Sequence, residues 1–129
     1  MLRGLDSTLL IDYLRGRPAV ARVASLRDTG DVPATTAINV EEIVRGLKPD
    51  ETTAAGMLFS GLVVLSVDMA SAWQAGAWRR EFASRGLTLS QADCLIAATT
   101  AAHSASLATG DPKDFPMPGL DVAYWPIGE

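Results

Sequence analysis

The chain is poor in the residues that build several common kinds of site. Its 129 residues include one cysteine, Cys94, and one histidine, His103. A single cysteine excludes an intramolecular disulfide and a zinc cage made of cysteines. Positive charge is also scarce, because 11 lysines and arginines stand against 15 aspartates and glutamates, for a net charge of -4. The chain therefore lacks the basic excess that is typical of DNA-binding modules.

Long apolar segments are absent as well. No apolar run approaches the roughly 20 residues that cross a bilayer as a helix. Asp6 and Asp12 interrupt the apolar N-terminal segment, so we expect no secretory signal peptide. Together with the single cysteine, these features favour a reducing, cytoplasmic setting and no membrane partner. The length, without internal repeats or a linker-like stretch, predicts one domain over residues 1–129.

What the sequence does contain is an alternation of short apolar strands with helices. The clearest strand is GLVVLSV at Gly61–Val67, an almost continuous apolar run that predicts a strand buried on both faces. Four more strands are predicted at Leu2–Asp6, Val32–Ile38, Ala105–Ala108 and Leu120–Trp125. The alternation predicts an α/β fold, with helices on both sides of a central, mostly parallel twisted sheet of about five strands.

Six helices are predicted between these strands. They cover Ser7–Arg15, Pro18–Asp28, Val40–Leu47, Glu51–Ser60, a helix that Asp68 caps and that runs to about Ser84, and Ser90–Ser104. Pro18 suits the first turn of its helix. Asn39 followed by Glu42 has the spacing of a capping box with Asn39 as N-cap, and Ser90 followed by Asp93 has the same spacing.

Four acids follow a predicted strand or begin a predicted helix: Asp6, Glu42, Asp93 and Asp111. Each has a simple structural explanation, since Asp6 suits a helix N-cap and Asp111 before a proline initiates a turn. Right-handed crossovers, however, bring the carboxyl ends of parallel strands to one edge of the sheet, where open α/β folds bind ligands. We therefore expect the four acids on that edge. By the same topology Asp68 would also lie on that edge, so position at the edge alone does not select these four acids as the site.

Crowded carboxylates repel one another and raise each other's pKa. A divalent cation removes that conflict. Oxygen ligands without a second histidine or a cysteine cage suit Mg²⁺ or Mn²⁺ rather than zinc. The sequence therefore predicts a magnesium or manganese site at the carboxyl edge of the sheet.

Four short motifs occur in order along the chain: LDSTLLIDYLRG, VEEIVRG, LSQADCLIAATTAAH and LATGDPKDF. Their ordered combination resembles the PIN-domain ribonucleases, in particular the VapC toxins of bacterial type II toxin–antitoxin pairs. The resemblance covers essentially the whole chain. It implies a three-layer α/β/α fold and a Mg²⁺- or Mn²⁺-dependent site that cleaves RNA.

The resemblance also implies which residues form the site. By motif position, Asp6, Glu42 and Asp93 match the three central acids of the family. Asp111 matches the fourth and more variable acid, with Asp114 as the second choice.

Three further residues are interpreted through the same resemblance. Thr8 and Thr109 match hydroxyl positions that support the site. The family often has Asp-Thr-Ser or Asp-Thr-Asn in its first motif, whereas this chain has Asp6-Ser7-Thr8 and keeps hydroxyls at both places. Asp68 has no counterpart in the family's motifs and is interpreted as a helix cap.

The resulting hypothesis is metal-assisted hydrolysis of a phosphodiester in structured RNA, such as a tRNA or an rRNA loop, by a toxin that inhibits translation. No histidine or lysine is needed as the base. His103 falls late in its helix, where a cation is favourable, and Cys94 is expected to be a small buried apolar residue. The candidates for guiding the RNA are the arginines Arg15, Arg17, Arg45, Arg79, Arg80 and Arg85.

The resemblance also implies partners. A cognate antitoxin would reach into the acidic pocket with an arginine or another polar side chain, and a homodimer is expected. The apolar residues of Leu9–Leu14 and Val40–Leu47 either fill the core or form part of a partner groove. Two other functions remain open: a non-catalytic PIN-like module that binds RNA or protein, and another acid-and-metal phosphoryl hydrolase. A phosphatase of that kind would need an Asp-x-Asp arrangement, and Asp6-Ser7-Thr8 lacks the second acid.

Overall fold

The computed structural model describes residues 1–16 and 19–128, with Arg27 described in its backbone only. Its core is one five-stranded sheet in which every neighbouring pair of strands is parallel. The strands are β1 (Leu2–Leu5), β2 (Val32–Thr36), β3 (Val63–Leu65), β4 (Ser106–Thr109) and β5 (Val122–Tyr124), and their order is β3-β2-β1-β4-β5. The prediction of a parallel sheet of about five strands is confirmed.

Six α-helices connect the strands. They are α1 (Ser7–Leu14), α2 (Ala19–Leu26), α3 (Ala37–Arg45), α4 (Thr52–Ser60), α5 (Met69–Ser84) and α6 (Gln91–Ala102), with short 3-10 segments at Arg27–Thr29, Pro49–Glu51 and Pro112–Asp114. Asp68 caps α5 as predicted, because its carboxylate accepts a hydrogen bond from the Ser71 N–H. Pro18, the predicted first-turn residue of the second helix, lies outside the described residues.

The helices form one layer on each face of the sheet, and the two faces have separate apolar cores. Leu107 and Ala108 are successive residues of β4 and therefore point to opposite faces. Leu107 packs in a cluster with residues of α5 and α6, including Trp78 and Ile96. Ala108 packs in a second cluster with Leu5 and with residues of α1 to α4. The fold is therefore the three-layer α/β/α arrangement that the resemblance implies.

The strand order reverses next to β1. The chain passes from β1 to β2 and β3 on one side, then returns across the sheet to β4 on the other side. Asp6 directly follows β1, and its N–H donates to the carbonyl of Ala108 in β4 at 3.0 Å. In an open α/β sheet the crevice at such a switch point is where ligands bind. The topology thus places Asp6 beside that crevice.

The strand that looked most buried in the sequence is an edge strand. Only Val63–Leu65 of the predicted Gly61–Val67 strand pairs with the sheet, and β3 is its outermost strand. Val63 and Val64 are 43% and 42% exposed, while Leu65 is buried. The prediction of burial on both faces was wrong, because a continuous apolar run indicates a strand but does not determine its place in the sheet order.

Two predicted helix caps also differ from the structure. The N-cap of α3 is Thr36, whose hydroxyl accepts from the Asn39 N–H at 3.3 Å, while the Asn39 side chain accepts from the Thr36 N–H. Asn39 is therefore the third residue of the capping box, and Glu42 is not part of it. Asp6 is the N-cap of α1, but its carboxylate makes no capping hydrogen bond. Both acids are thus free for other contacts.

No helix among the described residues combines the length and the apolar character that a bilayer crossing requires.

Candidate active site

Asp6 is a buried carboxylate that neutral donors surround. Its side chain is 7% exposed. Oδ2 accepts from the Thr109 hydroxyl at 2.8 Å and, at a longer 3.4 Å, from the Thr8 hydroxyl. Oδ1 accepts from the Asn39 amide nitrogen at 3.3 Å. Burial raises the pKa of Asp6, the Thr109 hydrogen bond opposes that rise, and the nearby charge of Glu42 adds to it.

Asn39 connects Asp6 with Glu42. Its amide nitrogen donates to the Ser7 hydroxyl oxygen at 2.9 Å, and that hydroxyl donates to Glu42 Oε1 at 2.8 Å. Its amide oxygen accepts from the Thr36 hydroxyl at 2.7 Å, which fixes the orientation of the amide. Asn39 is 1% exposed, so its amide is shielded from water, while Ser7 and Glu42 are partly buried.

Neither Asn39 nor Ser7 is predicted from the sequence as a site residue. The sequence pattern indicates a helix cap at Asn39 and a hydroxyl of the first motif at Ser7. A signal was nevertheless present, since Asn39 lies three residues before Glu42 and residues at that spacing share one side of a helix.

Asp93 lies in the first turn of α6. Its N–H donates to the Ser90 hydroxyl at 3.0 Å, so the predicted cap is confirmed. The pKa of Asp93 is raised to about 6, mainly by burial; the charges of Asp114, Asp6 and Glu42 add to the rise, and the hydrogen bond from Ser90 opposes it. These charges come from the residue after β1, from α3 and from the segment after β4. Three carboxylates therefore act on Asp93 at the carboxyl edge of the sheet.

The two candidates for the fourth acid have different surroundings. The Asp111 side chain is 48% exposed, and its Oδ1 lies 4.0 Å from the Lys113 ammonium. Its N–H donates to the Thr109 hydroxyl at 3.0 Å. Asp114, at the end of the 3-10 segment, is the one whose charge raises the pKa of Asp93. The electrostatics therefore favour Asp114, whereas motif position favours Asp111.

The donor set fits a divalent cation by its chemistry. In the part of the chain that the structure describes, no three histidine, cysteine, aspartate or glutamate side chains converge closely enough to hold an ion. Within the same part, Asp6, Glu42, Asp93 and Asp114 form no ion pair, as is also true of Asp12 and Asp68, and the charge of Glu42 acts on Arg45. Carboxylates at one edge are the oxygen ligands that Mg²⁺ and Mn²⁺ prefer.

Among the predicted arginines, Arg15 lies beside Glu42, whereas Arg79 acts on a thiol and not on Asp93. The charge of Arg79 acts on Cys94, the neighbour of Asp93, and lowers the pKa of that thiol against the larger effect of burial. Arg15 lines a pocket between α1 and α3 together with Glu42.

The other predicted arginines have different surroundings. Arg45 makes two hydrogen bonds of 3.0 Å to Glu41 on the outside of α3. Arg85 lies over the Phe82 ring at 4.5 Å from its centroid. Arg80 is exposed on α5, and Arg17 lies outside the described residues.

His103 and Asp68 lie away from the acids. His103 follows α6 at its C-terminus, with Nδ1 2.8 Å from the Thr99 carbonyl. Its charge contributes to lowering the pKa of Asp68, an effect due mainly to the hydrogen bonds from Ser71. Asp93 lies at the opposite end of α6, a helix of 12 residues, which corresponds to about 18 Å. The structure therefore separates this pair from the site.

Comparisons with known proteins identify the family. The family model described as PIN domain matches residues 5–116. The chain is 33% identical to ribonuclease VapC19 of Mycobacterium tuberculosis over 122 residues, which are 93% of this chain and 98% of that protein.

Solved structures share the fold. A chain of DNA-bound VapBC from Salmonella typhimurium superposes with a TM-score of 0.83 at 24% identity, over 97% of this chain and 99% of that one. A chain of a toxin–antitoxin complex from Klebsiella pneumoniae superposes with a TM-score of 0.74 at 26% identity, over 97% and 99%. The order of the acids, the sheet topology and the matched family model lead to one conclusion: the chain belongs to the PIN domain family.

Proposed function

We propose that the protein is a metal-dependent endoribonuclease, the toxin of a toxin–antitoxin pair, which hydrolyses phosphodiester bonds of structured RNA such as a tRNA or an rRNA loop and so inhibits translation. The observation that carries the proposal is that the carboxylates of Asp6, Glu42 and Asp114, from different elements of the fold, all act on the carboxylate of Asp93. The similarity to a protein named as a ribonuclease supports it.

These four acids would hold Mg²⁺ or Mn²⁺, with Asp114 in the place where motif position favoured Asp111. Such an ion supplies activation of a water molecule and stabilisation of the negative charge that develops on the phosphate. The chain contributes the orientation of the ligands. Thr109 and Asn39 hold the two oxygens of Asp6, and Ser7 holds Glu42.

The RNA must approach a negatively charged site. Arg15, in the pocket beside Glu42, would attract an incoming phosphate there, and Arg79, exposed on α5, is a second candidate. A guanidinium matches phosphate oxygens through two parallel hydrogen bonds. Arg45 is already engaged with Glu41 and is a weaker candidate than the sequence suggested.

The pocket beside Glu42 suits the cognate antitoxin. Its apolar wall consists of Ile11, Leu14, Ile43 and Leu47, and Arg15, Glu42, Lys48 and Glu51 provide its polar rim. We propose that an apolar segment of the antitoxin occupies this pocket and that a basic side chain of the same segment reaches the acids. The toxin–antitoxin complexes among the similar structures support this partner. The homodimer stays a prediction.

Cleavage of RNA by the purified protein tests the proposal. Asp6→Ala and Asp93→Ala are compared with the wild type in Mg²⁺ and in a chelator. We expect each variant to cut on the order of 100-fold more slowly, because each removes an ion ligand. The chelator should abolish cleavage by the wild type.

The matched control is Asp68→Asn. It removes an acid outside the site, and because asparagine caps a helix about as well as aspartate the fold is preserved. Its cleavage rate should equal that of the wild type. Equal rates for the wild type and both site variants would show that the acids do not carry the activity.

A further inference from the structure

One buried acid plays no part in the site described above. Asp12, in the second half of α1, is 3% exposed, and within the described residues it forms no ion pair. Its two oxygens accept from backbone groups that are far apart in the sequence. Oδ2 accepts from the Ala19 N–H at the start of α2, at 3.1 Å, and Oδ1 accepts from the Gly128 N–H near the C-terminus, at 3.0 Å.

The second of these contacts anchors the last described residues, Trp125–Gly128, here called the C-terminal strap. The strap leaves β5 and crosses the end of β4, where the Trp125 N–H donates to the Thr109 carbonyl at 2.9 Å. Arg22 of α2 donates to the carbonyl of Pro126. Together with the Gly128 bond to Asp12, these contacts attach the strap to the α1–α2 side of the sheet.

The strap lies directly against the loop that holds Asp6. A Cβ atom on Gly110 would lie 2.9 Å from Cγ2 of Ile127, so a larger residue at this position would push the Ile127 side chain of the strap aside. The Gly110 N–H donates to the Thr8 hydroxyl at 3.0 Å. The preceding residue, Thr109, donates to Asp6 at 2.8 Å. A displaced strap would therefore lose two contacts, that of Ile127 with Gly110 and that of the Trp125 N–H with the Thr109 carbonyl. Thr109 would then be held less firmly.

We propose that Asp12 is a positioning residue: by fixing the C-terminal strap over Gly110 it fixes the Thr109 hydroxyl and hence the orientation of the Asp6 carboxylate. The activity part of this inference rests on the proposed ribonuclease function, whereas the coupling of Asp12 to the Thr109–Asp111 loop does not. A carboxylate that only capped α2 would need a single acceptor, and Asp12 uses its second acceptor on a residue 116 positions away.

Asp12→Asn tests the coupling with little change in volume. The asparagine amide keeps one acceptor oxygen and replaces the other by an NH2 group, which cannot accept a hydrogen bond. One of the two backbone N–H groups therefore loses its partner. We expect faster hydrogen exchange at the amides of Gly110 and Asp111 and weaker binding of Mn²⁺. We also expect a kcat for RNA cleavage about 10-fold lower, the effect typical of residues that orient a metal ligand, with KM unchanged.

The control is Asp31→Asn. Asp31 is also a partly buried acid, but it pairs with Arg3 and the N-terminal ammonium at the opposite edge of the sheet. This variant should lower the unfolding temperature without changing the hydrogen-exchange rates of the Thr109–Asp111 loop, the affinity for Mn²⁺ or kcat. If Asp12→Asn behaves in the same way, Asp12 is only a structural cap and the proposal is wrong.

A second pair of variants tests the strap without altering Asp12. Gly110→Ala should collide with Ile127 and reproduce the loop exchange, Mn²⁺ affinity and kcat of Asp12→Asn. Adding Ile127→Ala removes the collision and should restore all three, since Ile127 is 51% exposed and contributes little by itself. A double variant as impaired as Gly110→Ala would overturn the proposal. If the wild-type protein cuts no RNA, the proposed function is refuted. Hydrogen exchange at the Gly110 and Asp111 amides and the affinity for Mn²⁺ would still decide the role of Asp12.

Discussion

The two halves of the candidate site are built differently. On the side of Asp6 and Glu42, hydroxyls and an amide from α1, α3 and β4 occupy the carboxylate oxygens, and Asn39 links the two acids. On the side of Asp93 and Asp114, the cap of α6 is the hydrogen bond that holds the first acid, and burial and neighbouring charge raise its pKa to about 6.

This difference indicates that one half of the site controls the orientation of the carboxylates and the other half controls their charge. Neutral donors orient Asp6 without neutralising it, so its position is set before any ligand arrives. The ionised form of Asp93 is instead unfavourable, first because its carboxylate is partly buried and second because three other acids act on it, and a cation would relieve both effects. Substitutions in the first half should therefore disturb orientation, and those in the second half should disturb charge.

The largest effect should distinguish Asp114 from Asp111 as the fourth acid. Asp114→Asn removes a charge that acts on Asp93, so we expect RNA cleavage to slow by about 100-fold, the upper end for residues that tune a metal site. The same change should lower the pKa of Asp93, which an NMR titration of the metal-free protein would measure. Asp111→Asn is the matched control, because its carboxylate faces Lys113. A larger loss with Asp111→Asn would restore the preference that motif position gives.

An intermediate effect is expected in the hydrogen-bonded half. Asn39→Leu keeps the volume but removes the donor to Asp6 and to Ser7, so cleavage should slow by about 10-fold. The free energy of unfolding should fall by about 1–3 kcal/mol, because buried polar groups lose their partners. Thr99→Val is the control, since the buried Thr99 hydroxyl has no partner within the described residues. Kinetics and thermal unfolding would check both variants, and an active, stable Asn39→Leu would contradict the assigned link.

The smallest effect concerns stability and pH. The pKa of Asp93 is raised from 3.8 to about 6 in the folded protein. The folded state then binds the proton more tightly, so this group destabilises the fold as pH rises from about 4 through about 6. Asp93→Asn removes that penalty and should raise the unfolding temperature in a chelator at pH 8 by a few degrees.

The gain from Asp93→Asn should shrink as pH falls through about 6 and disappear below the unfolded value of 3.8. Mn²⁺ should reverse the order of the two proteins, because it stabilises only the one that binds it. Thermal unfolding at several pH values measures all of this. A variant less stable than the wild type at pH 8 in chelator would show that Asp93 is not under electrostatic strain.

Much of the fold could be predicted because it depends on local signals. The alternation of strands and helices indicated the layers, and Asp68 and Ser90 marked the starts of α5 and α6. Local signals failed where two candidates were equivalent. Thr36 and Asn39 both suit an N-cap, and the structure uses Thr36 because β2 ends there. In the same way, the motif LATGDPKDF contains two aspartates, Asp111 and Asp114, and no local signal shows which of them acts on Asp93.

The sequence by itself determined the fold class, the order of the motifs and the positions of Asp6 and Asp93 at helix starts, because hydrophobic periodicity and capping act between near neighbours. Only the tertiary structure decided that β3 is an edge strand, that Asn39 joins Asp6 to Glu42, that Asp114 acts on Asp93, and that the C-terminal strap returns to Asp12. These contacts join residues that are distant in the sequence. Their distances and burial arise from the packing of the sheet and its helices, which no local pattern encodes.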